Sequence, residues 1–283
     1  MDLHREEEKN TEQITKEGIC KYTQIPTLYV YEEIDSTNEE LKRLFRQAGK
    51  EKCRNGSLAV ANHQTAGKGR LGRYFYSPSQ TGIYMSVLLD LGLNFAESVL
   101  VTTAASVAVC RAIQEVCGIS CGIKWVNDIY LKDRKICGIL TEAVTDASSG
   151  RISAMICGIG INVSTGDFPE EAGKLAASLY EKDTEAMPED ILNRLTAAVY
   201  RHLMQICMKL PDKSYMTEYR ERSVVLGRPI RYTDHGEWVN ARVNGIDEDG
   251  GLEVLSERDG QITLSSGEIT IRVREEEKEE KDA

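Results

Sequence analysis

A glycine-rich segment between two apolar runs is the feature that most restricts how this chain can fold. The segment, Gln64–Arg73, has the G-x-G-x-x-G spacing of a dinucleotide-binding turn, and a predicted strand precedes it. The match is made by Gly67, Gly69 and Gly72. A dinucleotide-binding fold needs a helix directly after the third glycine. Here the chain continues through Pro78 and Gly82, which prevent a helix, so the sequence excludes a Rossmann unit.

Positive charge is concentrated in this loop and in a second segment, Lys124–Leu140, although the chain carries a formal net charge of −10. The cations of the two segments are Lys68, Arg70, Arg73, Lys124, Lys132, Arg134 and Lys135. Glycines allow backbone N–H groups to converge on an anion, and the cations add charge. The two segments together predict an anion-binding site. For the loop alone, an exposed basic surface loop is the alternative.

Hydrophobic periodicity predicts an α+β chain. Strands are predicted at Leu28–Ile34, Ser57–Asn62, Ile83–Leu89, Asp128–Leu131, Cys137–Ala143 and Ile152–Val163. Helices are predicted at Asn38–Ala48, Ala96–Val116 and Glu189–Met208. From Val224 to Val273 short alternating strands are separated by turn residues without a helical period, which predicts a small closed β-barrel.

These patterns divide the chain into four parts. We expect a disordered acidic tail over residues 1–24, a catalytic domain over 25–222, a β-barrel over 223–274 and a second acidic tail over 275–283. The tails are expected to be disordered because charge runs without apolar partners cannot offset the entropy of ordering.

Composition narrows the classes of function. The negative charge argues against general nucleic-acid binding, and the first residues lack the apolar core of a secretory signal. The longest weakly polar run, Val99–Cys110, is shorter than a bilayer span, so no membrane role is predicted.

Eight cysteines are present and no pair has the C-x-x-C spacing of a redox or zinc site. Cys117 and Cys121 have the spacing of a metal clip, but no second ligand pair follows them. The thiols are expected to be reduced and to serve packing, which indicates a reducing, cytoplasmic compartment.

Six sequence blocks, in this order, resemble the biotin–[biotin carboxyl carrier protein] ligases. The blocks are Asp35–Asn38, Gln64–Arg73, Ser77–Pro78 with Gly82–Ser86, Lys124–Asp128, Arg134–Leu140 and Gly158–Val163. The resemblance covers residues 28 to 273 and implies a mixed-sheet catalytic domain of the biotin/lipoate ligase type, followed by an SH3-like β-barrel.

Ligases of this family activate biotin with ATP to biotinyl-5′-AMP, releasing pyrophosphate. They then transfer the biotinyl group to one lysine of a carrier domain of a carboxylase. The resemblance therefore implies biotin, ATP and Mg²⁺ as small molecules and a biotin carboxyl carrier protein as partner. Biotin's carboxylate must approach a phosphate, and a cation-rich glycine loop would cancel that repulsion. Pairing of two copies stays open, and neither DNA nor a membrane is expected as a partner.

The resemblance also implies residue roles. Biotin binding is implied for Ser36, Thr37, Asn38, Gln64, Gly67, Lys68, Gly69, Arg70 and Lys135. ATP binding is implied for Arg73, Phe75, Lys124, Asn127, Asn162 and Arg272. Catalytic roles are implied for Lys135, for Arg70 and for Asp128, which would orient or deprotonate the incoming amine. No metal ligand is assigned.

Several of these residues have a second interpretation. Glu39 and Glu40 follow Ser36 and Thr37 at the spacing of a capping box, which would give those two residues a role in starting a helix. Lys135, taken alone, is typical of a solvated strand end.

The chain departs from the family pattern at three positions. Val126 stands where the family usually has proline, Lys68 where arginine is common and Phe75 where tryptophan is frequent. The lysine keeps the charge but loses the two-pronged geometry of a guanidinium.

Three other functions compete with biotin ligation. A lipoate ligase shares the fold, but the Arg-Arg-x-Ser-Gly-Gly-Gly block usual in that class is missing. A non-catalytic biotin sensor would keep the pocket without the chemistry. A DNA-binding regulator would need a helix-turn-helix before the first strand, where we find only a segment of about 25 residues with a net negative charge.

Overall fold

The computed structural model describes residues 13–95, 97–146, 148–173, 175–181, 187–265 and 271–273. Within these ranges the helices are α1 (Lys16–Cys20), α2 (Thr37–Lys52), α3 (Ser98–Cys117), α4 (Glu170–Gly173), α5 (Ile191–Cys207) and α6 (Met216–Glu221). The strands are β1 (Leu28–Ile34), β2 (Leu58–Gln64), β3 (Gly82–Leu89), β4 (Gly122–Lys124), β5 (Asp128–Leu131), β6 (Arg134–Thr145), β7 (Ile152–Asn162), β8 (Pro229–Asp234), β9 (Glu237–Ile246), β10 (Leu252–Ser256), β11 (Gly260–Leu264) and β12 (Ile271–Val273).

The first seven strands form one mixed sheet in the order β1-β2-β3-β7-β6-β5-β4. Only the β1–β2 pair of this sheet is parallel, with Leu28 opposite Leu58. Both faces of the sheet are covered. Alternate residues of one strand therefore enter different cores: Leu58 and Val60 pack in the core with α3 and α5, whereas Ala59 packs in a smaller core with α2. Burial on both faces explains why β3 is a nearly continuous apolar run and why β2 begins with four apolar residues in succession.

The last five strands form an antiparallel sheet in the order β11-β10-β9-β8-β12. The segment that leads into this sheet is bonded to β4 of the large sheet, since Ile123 N donates to Arg222 O (2.8 Å) and Val224 N donates to Ile123 O (2.9 Å). The predicted α+β class is confirmed, and every predicted strand and helix is present with ends shifted by at most four residues.

The apolar segment of helix α3 is longer than the run Val99–Cys110 that the sequence indicated. The helix runs for 20 residues and its most apolar window has a mean hydropathy of 1.4, which by length and composition alone would suffice to cross a membrane. In the described structure 67% of that window is buried inside the protein. The apolar surface of α3 is therefore covered by the large sheet and by α5, as in the core helix of a globular domain.

The expected disorder of residues 1–24 is wrong for the part that the structure describes. Ile14 and Ile19 are 1% and 0% exposed, and Thr15 caps α1 by accepting a hydrogen bond from Gly18 N (2.9 Å). Two asparagines fix the backbone before α1: Asn62 Oδ1 accepts from Ile14 N, and Asn193 Oδ1 accepts from Thr15 N, each at 3.0 Å. Ile14 and Ile19 supply buried apolar surface, which a count of charged residues does not reveal. Residues 1–12 and 275–283 lie outside the described ranges.

We expect Ile19→Ala to lower the free energy of unfolding by about 2–5 kcal/mol, because a fully buried isoleucine leaves a cavity when truncated. Urea unfolding followed by circular dichroism measures this difference. The matched control is Cys20→Ala, since Cys20 is the next residue and is exposed. That variant should differ from the parent by no more than about 0.5 kcal/mol. Equal effects of the two substitutions would contradict the docked position of α1.

Candidate active site beneath the glycine loop

A cavity of about 190 Å³ opens between the glycine loop and the large sheet. Its walls come from the start of α2, the end of β2, the glycine loop, the β4–β5 turn and the middle of β6 and β7. Thirteen of the sixteen residues predicted from sequence line it: Ser36, Thr37, Asn38, Gln64, Lys68, Gly69, Arg70, Arg73, Phe75, Lys124, Asn127, Asp128 and Lys135. Segments separated by more than a hundred positions in sequence, such as those of Ser36 and Gly160, therefore meet at one site.

The other three predicted residues do not line the cavity. Gly67 lies at the base of the loop, where a Cβ would come within 2.4 Å of Phe75 O, so its role is close packing. Asn162 is 4% exposed and its Nδ2 donates to Ala177 O (3.0 Å). Arg272 lies on β12 with its guanidinium over the Trp238 ring (4.9 Å).

The glycine loop is a short hairpin that crosses the cavity. Phe75 N donates to Gly67 O (2.9 Å), Gly69 N donates to Arg73 O (2.7 Å), and a 3₁₀ turn closes the tip at Arg70–Gly72. Leu71 at the tip has a φ of 57°, in the left-handed region that a branched side chain rarely adopts. The hairpin form explains why no helix follows the third glycine.

Arg70 extends from this hairpin into the cavity. Its Nη1 donates to Asn127 Oδ1 (3.1 Å), and burial lowers the pKa of the Arg70 guanidinium, which remains charged. A desolvated cation interacts more strongly with an incoming anion than a solvated one. The loop therefore holds a strong anion-attracting group over the cavity.

The β4–β5 turn is fixed by contacts at each of its residues. Trp125 Nε1 donates to Gly250 O of the C-terminal sheet (2.8 Å), and Tyr219 OH donates to Val126 O (3.0 Å). Asn127 bonds β6 in both directions: its Nδ2 donates to Ile139 O (2.7 Å), and its carbonyl accepts from Ile139 N (3.0 Å). Asn127 is therefore rigid, and so is the oxygen it presents to Arg70.

Lys135 and Asp128 form an ion pair across β5 and β6, with 2.5 Å between Lys135 Nζ and Asp128 Oδ1. Lys124 lies nearby, where burial lowers the pKa of its ammonium and the charge of Asp128 opposes that shift. The charges of Lys135, Arg272 and Arg73 lower this pKa further. Lys135 is therefore a positioned cavity side chain, and the interpretation of a solvated strand end is wrong.

Five of the seven predicted cations line the cavity, namely Lys68, Arg70, Arg73, Lys124 and Lys135. Of the other two, Lys132 lies in the β5–β6 turn, and Arg134 donates to Gly173 O (3.0 Å). Among the described residues that line the cavity, Asp128 alone is a carboxylate. The site is thus strongly positive within an acidic protein. Mg²⁺ is usually bound by one or two carboxylates together with phosphate oxygens of the substrate. Asp128 is therefore suitable as a ligand of Mg²⁺ when a nucleotide supplies the phosphates.

Glycines in the strands make room for the side chains that fill the cavity. Gly138 and Gly160 are opposite each other on β6 and β7, and the Phe75 ring lies on them. A Cβ at Gly160 would be 2.5 Å from that ring, and a Cβ at Gly158 would be 2.3 Å from Asn38 Oδ1. Sequence reasoning gave these glycines no role. Glycine inside a strand was the available signal, because it marks close approach of another group.

Ser36, Thr37 and Asn38 form part of a polar wall of the cavity. Thr37 N donates to Gln64 Oε1 (2.9 Å), and Asn38 Nδ2 donates to Glu142 Oε2 (2.7 Å). Ser86, which sequence reasoning did not select for this site, lies with its Oγ 2.7 Å from Thr37 Oγ1. The capping-box interpretation is wrong. It requires Glu39 and Glu40 to accept hydrogen bonds from the backbone N–H groups of Ser36 and Thr37. These N–H groups donate to Asp35 and Gln64 instead. These side chains instead form a preorganised set of hydrogen-bonding groups.

Comparison with known proteins identifies relatives of both parts of the chain. The model for the biotin/lipoate A/B protein ligase family matches residues 30–162, and that for the biotin protein ligase C-terminal domain matches residues 225–272. The chain is 32% identical over 226 residues to the bifunctional ligase/repressor BirA of Bacillus subtilis, covering 76% of this chain and 66% of that protein. It is 28% identical over 229 residues to the biotin–[acetyl-CoA-carboxylase] ligase of Mycobacterium tuberculosis, covering 76% and 79%.

A solved structure agrees with these matches. The biotin protein ligase from Aquifex aeolicus in complex with biotin and ATP is similar with a TM-score of 0.71 at 28% identity. The similarity covers 88% of this chain and all of that one.

We expect Trp125→Phe to lower the free energy of unfolding by about 1–3 kcal/mol, because it leaves the buried carbonyl of Gly250 without its donor. Urea unfolding measures the change. Trp238→Phe is the control, since Trp238 is 42% exposed and donates no such bond in the described structure. Equal costs of the two substitutions would show that the Trp125–Gly250 contact contributes nothing.

Proposed function

The chain belongs to the biotin/lipoate A/B protein ligase family, and on that premise we propose that it is an ATP-dependent biotin protein ligase. The observation that supports this most directly is the cavity itself, which five cations line beneath a glycine hairpin. Biotin and ATP are both anions, and their reaction needs this compensation of charge. The relative from Aquifex aeolicus was solved with both molecules bound.

In the first step a carboxylate oxygen of biotin attacks the α-phosphorus of ATP. The new C–O–P linkage is a mixed anhydride, biotinyl-5′-AMP, and pyrophosphate leaves with the electron pair of the broken P–O bond. Lys135 and Arg70 stabilise the charge that develops on the phosphate oxygens, because both are cations held at the cavity by Asp128 and Asn127.

In the second step the amine of a lysine on the carrier protein attacks the acyl carbon. An amide bond forms, AMP leaves, and the amine loses a proton. Asp128 lines the cavity beside Lys135 and is the described carboxylate closest to the reaction, so it orients the amine or accepts that proton.

Biotin is recognised by the polar wall of the cavity. Ser36, Thr37, Asn38 and Gln64 supply hydrogen-bonding groups for its ring, and Lys68 with Gly69 closes over its carboxylate. Gly67 supports the base of the hairpin rather than the ligand.

ATP is held by the cations at the other side. Arg73, Lys124 and Asn127 line the cavity there, and Arg272 adds charge from the C-terminal sheet. Phe75 covers the adenine after its ring leaves the glycine pair on which it lies. Mg²⁺ bound by Asp128 and the phosphates would neutralise charge on the triphosphate.

Asn162 acts through the backbone rather than on ATP. Its side chain holds Ala177 O, while Ala177 N donates to Lys135 O and Lys135 N donates to Leu175 O, both at 2.8 Å. Asn162 is thus a positioning residue for Lys135.

The acceptor we propose is a biotin carboxyl carrier domain of a carboxylase, because the relatives from Mycobacterium tuberculosis and Paracoccus denitrificans are named as ligases for acetyl-CoA carboxylase. A cytoplasmic location is consistent with eight cysteines that are all free thiols. Lipoate ligation is disfavoured by the match of residues 225–272 to the biotin protein ligase C-terminal domain.

Exchange of labelled pyrophosphate into ATP tests the first step. We expect exchange that requires biotin and is absent with lipoate; exchange with lipoate alone, or binding of biotin without exchange, would contradict the proposed function. Lys135→Gln should reduce the rate by about 10²–10³-fold, the usual loss when a donor to developing charge is removed. Lys132→Gln is the matched control, since Lys132 is close in sequence but does not line the cavity, and it should exchange like the parent.

We expect Arg70→Gly to form biotinyl-5′-AMP and to release it into solution, because it removes the side chain that ties the hairpin to Asn127. The free anhydride should then label lysines of an unrelated bystander protein, which streptavidin blotting detects. Arg151→Gly is the control, since Arg151 is exposed and remote from the cavity lining. A variant that forms the adenylate at the parent rate without labelling bystanders would refute this role.

A further inference from the structure

The glycine hairpin is attached to helix α2 by an ion pair at its edge. Lys68 Nζ donates to Glu39 Oε1 at 2.7 Å, and Glu39 lies in the first turn of α2. This contact joins the loop above the cavity to an element packed on the large sheet. None of the roles assigned above uses Glu39.

Glu39 is itself fixed by a second cation. Lys42 Nζ donates to Glu39 Oε1 (2.9 Å) and to Glu142 Oε1 on β6 (2.6 Å). Lys42 is 12% exposed, so this part of the network is largely desolvated. Lys68 and Lys42 lower the pKa of Glu39 to about 2, which keeps its carboxylate charged at neutral pH. The anchor for Lys68 is therefore a held carboxylate rather than a mobile surface group.

Phe75 gives the hairpin an apolar contact at its base, but the tip has little apolar contact to keep it closed. Leu71 is 50% exposed and Tyr74 is 57% exposed. Leu71 also has the left-handed backbone conformation, which costs of order 1–3 kcal/mol for a residue other than glycine. Polar contacts must therefore hold the tip, and two of them are the Arg70–Asn127 bond inside the cavity and the Lys68–Glu39 pair outside it.

Lys68 can serve the anchor and a ligand together. An ammonium has three donors, and one of them is directed at Glu39. The other two can meet a carboxylate entering the cavity that Lys68 lines. Pairing with Glu39 thus orients Lys68 without removing it from anion binding.

We propose that Glu39 is a positioning residue that holds the glycine hairpin closed through Lys68. That the closed hairpin retains the reactive adenylate rests on the proposed function, whereas the anchoring of the hairpin by Glu39 does not. An opposite role, in which Glu39 competes with biotin for Lys68, would make removal of its charge tighten biotin binding and slow the release of the adenylate.

Trypsin reports on the hairpin without any substrate, because Arg70 and Arg73 are cleavage sites at its tip. We expect ligand-free Glu39→Gln to be cleaved after these residues faster than the parent, by about 1.4- to 5-fold, which corresponds to an exposed ion pair. Mass spectrometry of the fragments measures the rate. The difference should shrink at high salt, because salt screens the pair.

Glu40→Gln is the matched control. Glu40 is the next residue in the same helical turn, but it pairs with Arg43 and Tyr31 instead of the loop. It should be cleaved after Arg70 and Arg73 like the parent. In a Lys68→Gln background, Glu39→Gln should have no further effect, because the partner is already missing.

Cleavage of Glu39→Gln that is unchanged or slower, or an equal acceleration in Glu40→Gln, overturns the proposal. An acceleration that persists undiminished in the Lys68→Gln background overturns it as well. Should Glu39→Gln fail to fold, Lys68→Gln against the parent tests the same pair from the loop side, through cleavage after Arg70 and Arg73.

A second readout connects the anchor to the reaction. With biotin and ATP present, Glu39→Gln should release biotinyl-5′-AMP about 1.4- to 5-fold faster than the parent while pyrophosphate exchange continues. Unchanged release together with normal exchange would overturn the anchoring role. Absence of biotin-dependent exchange in the parent would refute the proposed function and leave the proteolysis result to decide the anchoring role.

Discussion

The charge of the cavity is the constraint on which the rest of the site depends. Five cations share about 190 Å³ with one carboxylate, in a protein whose formal charge is −10. Like charges held together and partly desolvated destabilise the fold unless something compensates them. Asp128 compensates Lys135, and Asn127 gives Arg70 an oxygen. Glu39 pairs with Lys68 outside the cavity, and an anionic substrate that binds would neutralise further positive charge.

Rigid backbone supports these charges. Asn127 is bonded to β6 through both its side chain and its carbonyl, and Lys135 is bonded on both sides to the 175–177 segment. The glycines at 138 and 160 keep the floor of the cavity flat enough for an aromatic ring. Because the floor is a hydrogen-bonded sheet and the cover is a hairpin, the two walls differ in stiffness. The floor sets the geometry of the reaction, whereas the hairpin controls access to it.

Much of this arrangement was accessible from sequence, for reasons that can be named. The breakers at Pro78 and Gly82 excluded a helix after the glycine loop, and the structure has a hairpin there. Alternating and continuous apolar runs located the strands, because burial on both faces leaves a strong signal. Lys135 and Arg70 were selected by resemblance, and the structure places both at one cavity.

Other features could not be predicted because they depend on contacts distant in sequence. The six acids and three bases of residues 1–19 suggest disorder, and only the partners of Ile14 and Ile19 reveal that the part around α1 is packed. Ser86 supports the polar wall from behind by its contact with Thr37, which is 49 positions away in sequence. The capping-box spacing was present in the sequence, but Gln64, on another strand, takes the N–H group instead. The spacing of residues within one segment does not reveal which group of a distant segment accepts the hydrogen bond of a given backbone N–H.

The bond between Trp125 and Gly250 has a consequence for protein engineering. Gly250 has a φ of +84°, and a Cβ there would come within 3.2 Å of Thr103 on α3, so the turn that offers its carbonyl to Trp125 tolerates little change. A chimera that exchanges the C-terminal sheet between homologous ligases would have to carry over the turn from Asp247 to Gly251 in a matching conformation. Without that turn, both parts of the chimera would fold, but Trp125 would lose its acceptor and the β4–β5 turn at the active site would be held less firmly.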